Sequence, residues 1–479
     1  MKKFKEILPY VIILPMAIVL ILMSNTFPTK KVGTFWDAAV YLNVSKNLTE
    51  GQTLYKDIVD NKGPVLYFIN YIGLKLGGPS LVCVIEFLFI YIALVYMYKT
   101  LQLINKNKII SLLTVGVAFI CYAKCFTYGL SCETYALTFS MIAMYKCLQF
   151  YENDKFTKLQ CLLIGILFGL TFFIRANLII VFVAFGLGIA IKLIMNKRIK
   201  ELFEYILFSF LGFIIVCIPI FAYLLINNCV YDFIKNVFLI NTTMNKIGLI
   251  RASKLMRNMM PISYYSICLY IAVAWWNVLN KKEKYISAFC LGIITILFNS
   301  ISVNIYYHYF ISFLPILILA YNFIIYIIIK KFKIVGYILI IVIIILYTYK
   351  YYKLIFVFET FQPNNNVIAY IQNNTEETDR IAVIGFYDEI YYLSNRKPAS
   401  RITYILSNNA FERSVQEEMV QEYIDDIRKN KPIIIVEDES TIQNIIKSNI
   451  DISKYEELKN SEYTYVQTLN NKKIYKLIK

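Results

Sequence analysis

Four acidic residues, Asp37, Glu50, Asp57 and Asp60, fall in one short stretch, and Lys62 and a Gly63-Pro64 pair follow directly. Further along, Glu133 opens an apolar segment and Arg175 sits in a very short turn between two others. His308, the single histidine, opens a late apolar segment in NIYYHYFISFLPILIL. Carboxylates of this kind can act as general bases toward a hydroxyl, and a neighbouring Lys or Arg can stabilise a departing anion such as a phosphate. Other chemistry is excluded. One histidine cannot build a zinc site, and HExxH, GxSxG, Walker and DxD patterns are absent, which removes the commonest hydrolases and nucleotide-sugar enzymes. Singly, each residue has an ordinary explanation: Asp37 and Glu133 as helix-start charges, Asp57 and Asp60 as loop charge, Lys62 as a snorkelling side chain, His308 as a structural hydrogen-bonding group. Their grouping carries the argument.

The elements that must position them are apolar. Of 479 residues, 58% are hydrophobic and only 17% charged, against about 25% charged in soluble domains, and the mean hydropathy is +0.56. Eleven segments are candidate membrane spans: 7–25, 80–100, 109–123, 133–150, 159–174, 176–195, 202–226, 261–279, 286–303, 311–329 and 333–350, most of them long enough for ~30 Å of hydrocarbon. The first lacks a small-residue cleavage site and reads as a retained helix. Alternate short connections carry Lys2/Lys3/Lys5, Lys106/Lys108, Lys155/Lys158, Lys197/Arg198/Lys200, Lys281/Lys282/Lys284 and Lys330/Lys331/Lys333. The excess of basic residues in cytoplasmic loops then puts the N-terminus in the cytoplasm, and eleven crossings put the C-terminus outside. Residues 1–358 hold 34 Lys/Arg against 13 Asp/Glu, and 359–479 hold 15 against 19. The net +17 therefore belongs to the membrane part, where topology and lipid phosphates account for it without nucleic acid. The ten cysteines show no metal spacing and read as small apolar residues; Cys125 and Cys132 share one outer loop.

Two long outer segments result. Residues 26–79 include DAAVYLNVSKNL, with helical spacing, and a Pro64–Leu76 piece too short to span, expected in the interface. Residues 227–260 carry Lys235, Lys246, Arg251, Lys254 and Arg257. The tail, 359–479, reads as a small α/β domain: strands in RIAVIGF and PIIIVED, a helix over 409–430, and a closing hairpin turning at Asn470-Asn471. VIGFYDEIYYL has one glycine, too few for a nucleotide loop. Glu86, inside a span, has no evident partner.

Outside the membrane no nucleotide sugar is available, so a sugar transferred there must arrive on a lipid carrier, and its base and its phosphate-binding cation must stand at the membrane edge. At this point FWDAAVYLNVSKNLTEGQTLYKDIVDNKGPVLYFINYIGLKLGG resembles the first extracytoplasmic loop of GT-C glycosyltransferases, near relatives being dolichyl-phosphate-mannose-protein mannosyltransferases and the lipid A aminoarabinose transferase. Asp37 matches the catalytic Asp by position, Gly51, Tyr55 and Asp57 the middle stretch, and Asp60 with Lys62-Gly63-Pro64 the turn into a juxtamembrane helix. YYHYFISFLPILIL resembles a late element of the family, with His308 near its usual basic position. Ala38, Asn61 and Gly63 depart from the pattern, so the broader lipid-linked-sugar class is implied rather than mannose transfer in particular.

The resemblance implies a polytopic α-helical membrane protein of GT-C type over 1–358, with a small extracytoplasmic α/β domain over 359–479. It implies an inverting transferase using a polyprenyl-phosphate sugar and an extracytoplasmic glycan, lipid or protein acceptor. Asp37, Asp60 and Glu133 would be the catalytic carboxylates. Lys62, Arg175, Arg251 and Arg257 would bind donor phosphate, and Tyr55, Asp57 and His308 the acceptor or a divalent cation. No other cofactor is implied. The rivals are an envelope polysaccharide polymerase or ligase, a lipid-linked glycan flippase or transporter, and a non-catalytic scaffold.

Overall fold

The computed structural model describes residues 2–28, 36–126, 129–244, 248–300, 306–350, 364–405 and 411–478. Thr34, Phe35, Lys246, Asn409 and Ala410, on which parts of the sequence reading fell, lie outside the described residues. Each of the eleven apolar segments is helical over most of its described part. Among the described residues, six helices are long and apolar enough to cross a membrane: Glu6–Met23, Pro64–Asn105, Lys108–Cys125, Ile199–Ile226, Pro261–Leu279 and Tyr307–Phe332. Four shorter apolar helices accompany them: Lys158–Phe172, Ile180–Met195, Lys284–Phe298 and Ile334–Lys350. The protein is a multi-pass membrane protein.

The chain divides into two units. The first comprises Met1–Ser24, Val84–Ile220 and Lys246–Phe358. Its helices pack through small residues, as helices in lipid do. A Cβ on Gly165 would lie 1.8 Å from the Ser209 carbonyl oxygen, and one on Gly212 would lie 2.1 Å from that of Leu162. Glu86 finds its explanation here. It is fully buried; the Ser24 hydroxyl donates to its Oε2 at 2.6 Å and the Leu130 amide to its Oε1 at 2.5 Å. A carboxylate in a span thus clamps the end of the first helix and the turn at Gly129 (φ 78°), just before Ser131 caps the helix Cys132–Asn153. Cys125 and Cys132 are both buried.

The second unit comprises Asn25–Cys83, Phe221–Asn245 and Glu359–Lys479. In the first outer segment, the helix Trp36–Thr49 buries Ala38, Val40, Tyr41, Val44 and Leu48, and also Ala39, Leu42, Asn43, Ser45 and Asn47, so it is enclosed on nearly every side rather than along one apolar stripe. Pro64, whose fixed φ suits a first helical turn, starts a second helix. That helix is continuous to Asn105 except for a break at Gly77 and Gly78, where Gly78 adopts φ 64°. The Pro64–Leu76 piece is therefore a helix ending at a glycine kink and leading directly into the span.

The tail forms a five-stranded sheet of order β2-β1-β3-β5-β4. β1 (Arg380–Ile384) pairs in parallel with β2 (Lys397–Pro398) and β3 (Ile434–Asp438). β5 (Lys472–Leu477) runs antiparallel to β3, and β4 (Tyr463–Leu469) antiparallel to β5. Asn470 and Asn471 turn the β4–β5 hairpin with φ 48° and 61°, the left-handed pair of a type I′ turn. Alternate strand residues feed two cores. Ile381, Val383, Ile434 and Val436 meet Val367, Ile371 and Ile390 on one face. Ala382, Ile384 and Ile435 meet Tyr423 and Ile427 of the helix Arg413–Asn430 on the other.

Candidate functional site

Asp37 lies in the first turn of the helix Trp36–Thr49, partly exposed, and its carboxylate accepts a long 3.4 Å hydrogen bond from Tyr41 Oη. Tyr55 turns the loop at φ 70° and is wholly buried, its hydroxyl donating to the Lys62 carbonyl at 2.7 Å. Asp57 is exposed and caps the same turn by accepting the Thr53 amide at 2.8 Å. Lys62 Nζ donates to Asn61 Oδ1. Unlike Asp37 and Asp57, Asp60 is only 3% exposed. Tyr67 donates to its Oδ2, and Tyr404 of the tail donates to its Oδ1 at 2.6 Å.

The tail contributes more. Asp388, 1% exposed, accepts Asn43 Nδ2 on Oδ1 at 2.8 Å, and Asn43 lies on the helix that carries Asp37. Burial pushes the Asp388 carboxyl up to about 6; the Asp60 charge adds to this, and Asn43 and Thr403 oppose it. Glu389, bonded by Asn364, is likewise pushed by burial up to about 7. Arg401 ties three segments: it donates to the Tyr55 carbonyl at 3.3 Å, to Asp232 at 2.9 Å and to Glu422. The Val59 amide donates to the Arg401 carbonyl at 2.9 Å, and Val59 pairs with Ile402 in a parallel bridge. Lys235 pairs with Glu418 at 2.8 Å. Asp60, Asn61, Lys235, Asn236, Arg401 and Tyr404 line a narrow cleft open to solvent.

In the other unit, Glu133 is 2% exposed and receives Arg175 Nη1 at 3.0 Å. Arg175 Nη2 donates to Tyr309 Oη at 3.3 Å, and its guanidinium lies 5.0 Å from the centre of the Tyr309 ring. His308 stacks on Tyr306 and meets the Tyr309 ring edge-on at 4.6 Å. Glu133, Arg175, Asn177 and Tyr309 line a small cavity in which Asn177 Oδ1 is buried without a hydrogen bond. Arg251 and Arg257 are exposed on the helix Leu249–Met259, whose buried side is Ala252 and Met256. Neither forms an ion pair among the described residues. Among those residues, no three or more His, Cys, Asp or Glu side chains converge as ligands for a metal ion.

The structure thus joins Asp60, Tyr55 and Lys62 in one loop, sets Asp37 on the helix before it, and joins Glu133, Arg175 and His308 around Tyr309. Sequence reasoning missed Tyr404, Asp388, Asn43, Tyr67, Arg401 and Tyr309. For Asp388 a signal existed: two adjacent acids follow strand β1 after a three-residue gap and open an otherwise largely apolar helix, DEIYYLS.

Residues 3–333 match the family model described as "Putative competence-induced protein Ccs4 N-terminal domain". The chain belongs to this family. The Ccs4 model ends before the α/β tail. No curated protein matches the sequence. Among solved structures, the chain is similar to ArnT from Cupriavidus metallidurans. Against the crystal structure bound to undecaprenyl phosphate the TM-score is 0.63 at 10% identity, covering 98% of each chain. Against the apo state the TM-score is 0.66 at 10% identity, covering 99% of this chain and 98% of that one. The archaeal oligosaccharyltransferase AglB from Archaeoglobus fulgidus, in complex with an inhibitory peptide and a dolichol-phosphate, matches with TM-score 0.57 at 11% identity. That match covers 91% of this chain and 70% of AglB. ArnT and AglB are GT-C superfamily members, so this Ccs4-family chain has the GT-C fold, tail included.

Proposed function

We propose that this chain is a membrane glycosyltransferase that moves a sugar from a polyprenyl-phosphate carrier to a hydroxyl of an extracytoplasmic glycan, lipid or protein, with inversion. The observation that carries this reading is the fold similarity to ArnT over 98% of both chains, ArnT having undecaprenyl phosphate bound in that structure. The acceptor oxygen bonds to the anomeric carbon as the bond from that carbon to the phosphate oxygen breaks. The bonding pair leaves with the phosphate, and Asp37 takes the acceptor proton. Asp37 suits the base role because its carboxylate is partly exposed and, among the described residues, accepts a long 3.4 Å hydrogen bond from Tyr41. Asp60 and Glu133 are buried and already hydrogen-bonded or paired, so we assign them to holding Tyr67, Tyr404 and Arg175 in place. Lys62, Arg175, Arg251 and Arg257 are the candidates for the donor phosphate, and Tyr55, Asp57 and His308 for shaping the acceptor side.

The topology follows from the loop charges: N-terminus in the cytoplasm, eleven crossings, tail outside. Packing of the tail with residues of both long outer segments in one unit supports that placement, since segments that pack together share a side of the membrane. An envelope polymerase or ligase is the second reading, favoured by the exposed basic side chains Arg251, Lys254 and Arg257 on one helix. Mass spectrometry of envelope glycans and glycoproteins with and without the gene tests the proposal. Loss of one defined sugar is expected. An unchanged profile in a strain that makes the protein would sink it.

A further inference from the structure

The tail lies outside the family match, yet it supplies the second hydroxyl on Asp60 and the carboxylate on Asn43. We infer that the C-terminal α/β domain is a working part of the first-loop site, with Tyr404 and Asp388 as positioning residues that set the segment bearing Asp37 and Asp60. The inference rests on the transferase reading above.

Its geometry is that of a two-pronged clamp. One prong is Tyr404 Oη on Asp60 Oδ1 at 2.6 Å, and the other is Asn43 Nδ2 on Asp388 Oδ1 at 2.8 Å. All four side chains are buried, Tyr404 the least at 7% exposed. Between the prongs the backbone is registered: Val59 donates to Arg401 and pairs with Ile402, so the residues leading to Tyr404 lie alongside those leading to Asp60. Tyr404 stands among three carboxylates. Burial first, then the charges of Asp60, Asp37 and Asp388, hold its hydroxyl protonated and therefore able to donate. Among the described residues, Asp60 is held by the two phenols, Tyr67 on one oxygen and Tyr404 on the other. Withdrawing the tail would strand one oxygen of a buried carboxylate and the amide of Asn43, and both are costly without a partner. Tail docking and loop order are therefore one equilibrium. Because the reacting groups must be held closely, a displacement of about 1 Å costs on the order of a hundredfold in rate.

Tyr404→Phe removes one donor and keeps the ring. Its test uses the full-length protein in lipid nanodiscs, with two readouts. The first is amide hydrogen exchange across residues 36–67, which needs no substrate. The second is steady-state transfer from an undecaprenyl-phosphate sugar. The expected result is exchange at least tenfold faster over the first loop, with kcat down about 10- to 100-fold and donor KM within about threefold. Asp388→Leu, which removes the second acceptor, should quicken exchange in 36–49 likewise. Asp388→Asn, which keeps an oxygen for Asn43, should retain wild-type protection there. The inference is overturned if Tyr404→Phe leaves loop exchange unchanged. It is overturned equally if that variant lowers only the melting temperature, with kcat per folded enzyme intact. If the wild type transfers no sugar while the exchange coupling holds, the transferase reading fails and the clamp stands.

Discussion

Asp388 and Glu389 give the tail a pH dependence opposite to that of most folded proteins. Both are buried, at 1% and 4% exposure, and burial raises them from 3.8 to about 6 and from 4.5 to about 7. A group that binds its proton more tightly when folded contributes stability that is present below the unfolded pKa and is lost as pH rises through the folded one. For Asp388 the loss runs from about pH 4 to 6, and for Glu389 from about pH 4.5 to 7. At roughly 1.4 kcal/mol per pKa unit, each leaves the folded tail about 3 kcal/mol less stable at pH 7.5 than at pH 4. Asp438 is depressed by the Ser440 and Thr441 hydroxyls and the Thr441 amide, which outweigh its burial. Its stabilisation is lost only as pH falls below about 4, so the window from pH 5 to 7 isolates the buried pair. The assay is hydrogen exchange in β1 and the helix Asp388–Ser394, corrected for intrinsic rates, at pH 5.5 and 7.5. Protection should be greater at pH 5.5 in the wild type, and Asp388→Asn with Glu389→Gln should abolish the difference. Protection that rises with pH across this window, or a pH dependence surviving in the double variant, refutes the reasoning.

Other perturbations test the separate parts. Arg175→Ala leaves Glu133 buried without its cation, a loss of about 3–5 kcal/mol, and should lower the melting temperature clearly more than Arg175→Lys, which keeps the charge but loses the planar contact with Tyr309. Gly129→Ala adds about 1–2 kcal/mol of left-handed backbone strain. Its methyl group would also meet Ser24 Oγ at 2.1 Å and Glu86 Oε1 at 2.7 Å, so a low yield of folded protein in detergent is expected. Glu86→Ala strips the acceptor from Ser24 and Leu130 and should quicken exchange at the start of the helix Cys132–Asn153, whereas a rate equal to wild type would dismiss the clamp.

Much of the fold was written locally. Apolar run length gives the helices, the Asn470-Asn471 pair gives the hairpin, and the Val40, Tyr41, Val44 and Leu48 stripe gives the first-loop helix. What escaped was long-range satisfaction of polar groups. Asp60 and Tyr404 are 344 residues apart, and Asn43 and Asp388 are 345 apart. No local period links an acid to a tyrosine in another part of the chain. Glu86 looked stranded for the same reason, since one of its donors is a backbone amide that every residue but proline possesses. Arg175 was legible as a cation short of water, but Glu133 and Tyr309 could be matched to it only once the helices were packed. The site was therefore readable as a set of candidates in the first loop, and the tail's share in it was not.

The central claim is that Asp37 removes the acceptor proton in transfer from a polyprenyl-phosphate sugar. The most direct measurement is single-turnover transfer by purified, folded Asp37→Asn protein beside wild type, with undecaprenyl-phosphate retention measured in parallel. The account predicts transfer reduced about 100-fold or more with retention of the lipid phosphate unchanged. Full transfer by the Asp37→Asn protein would contradict it.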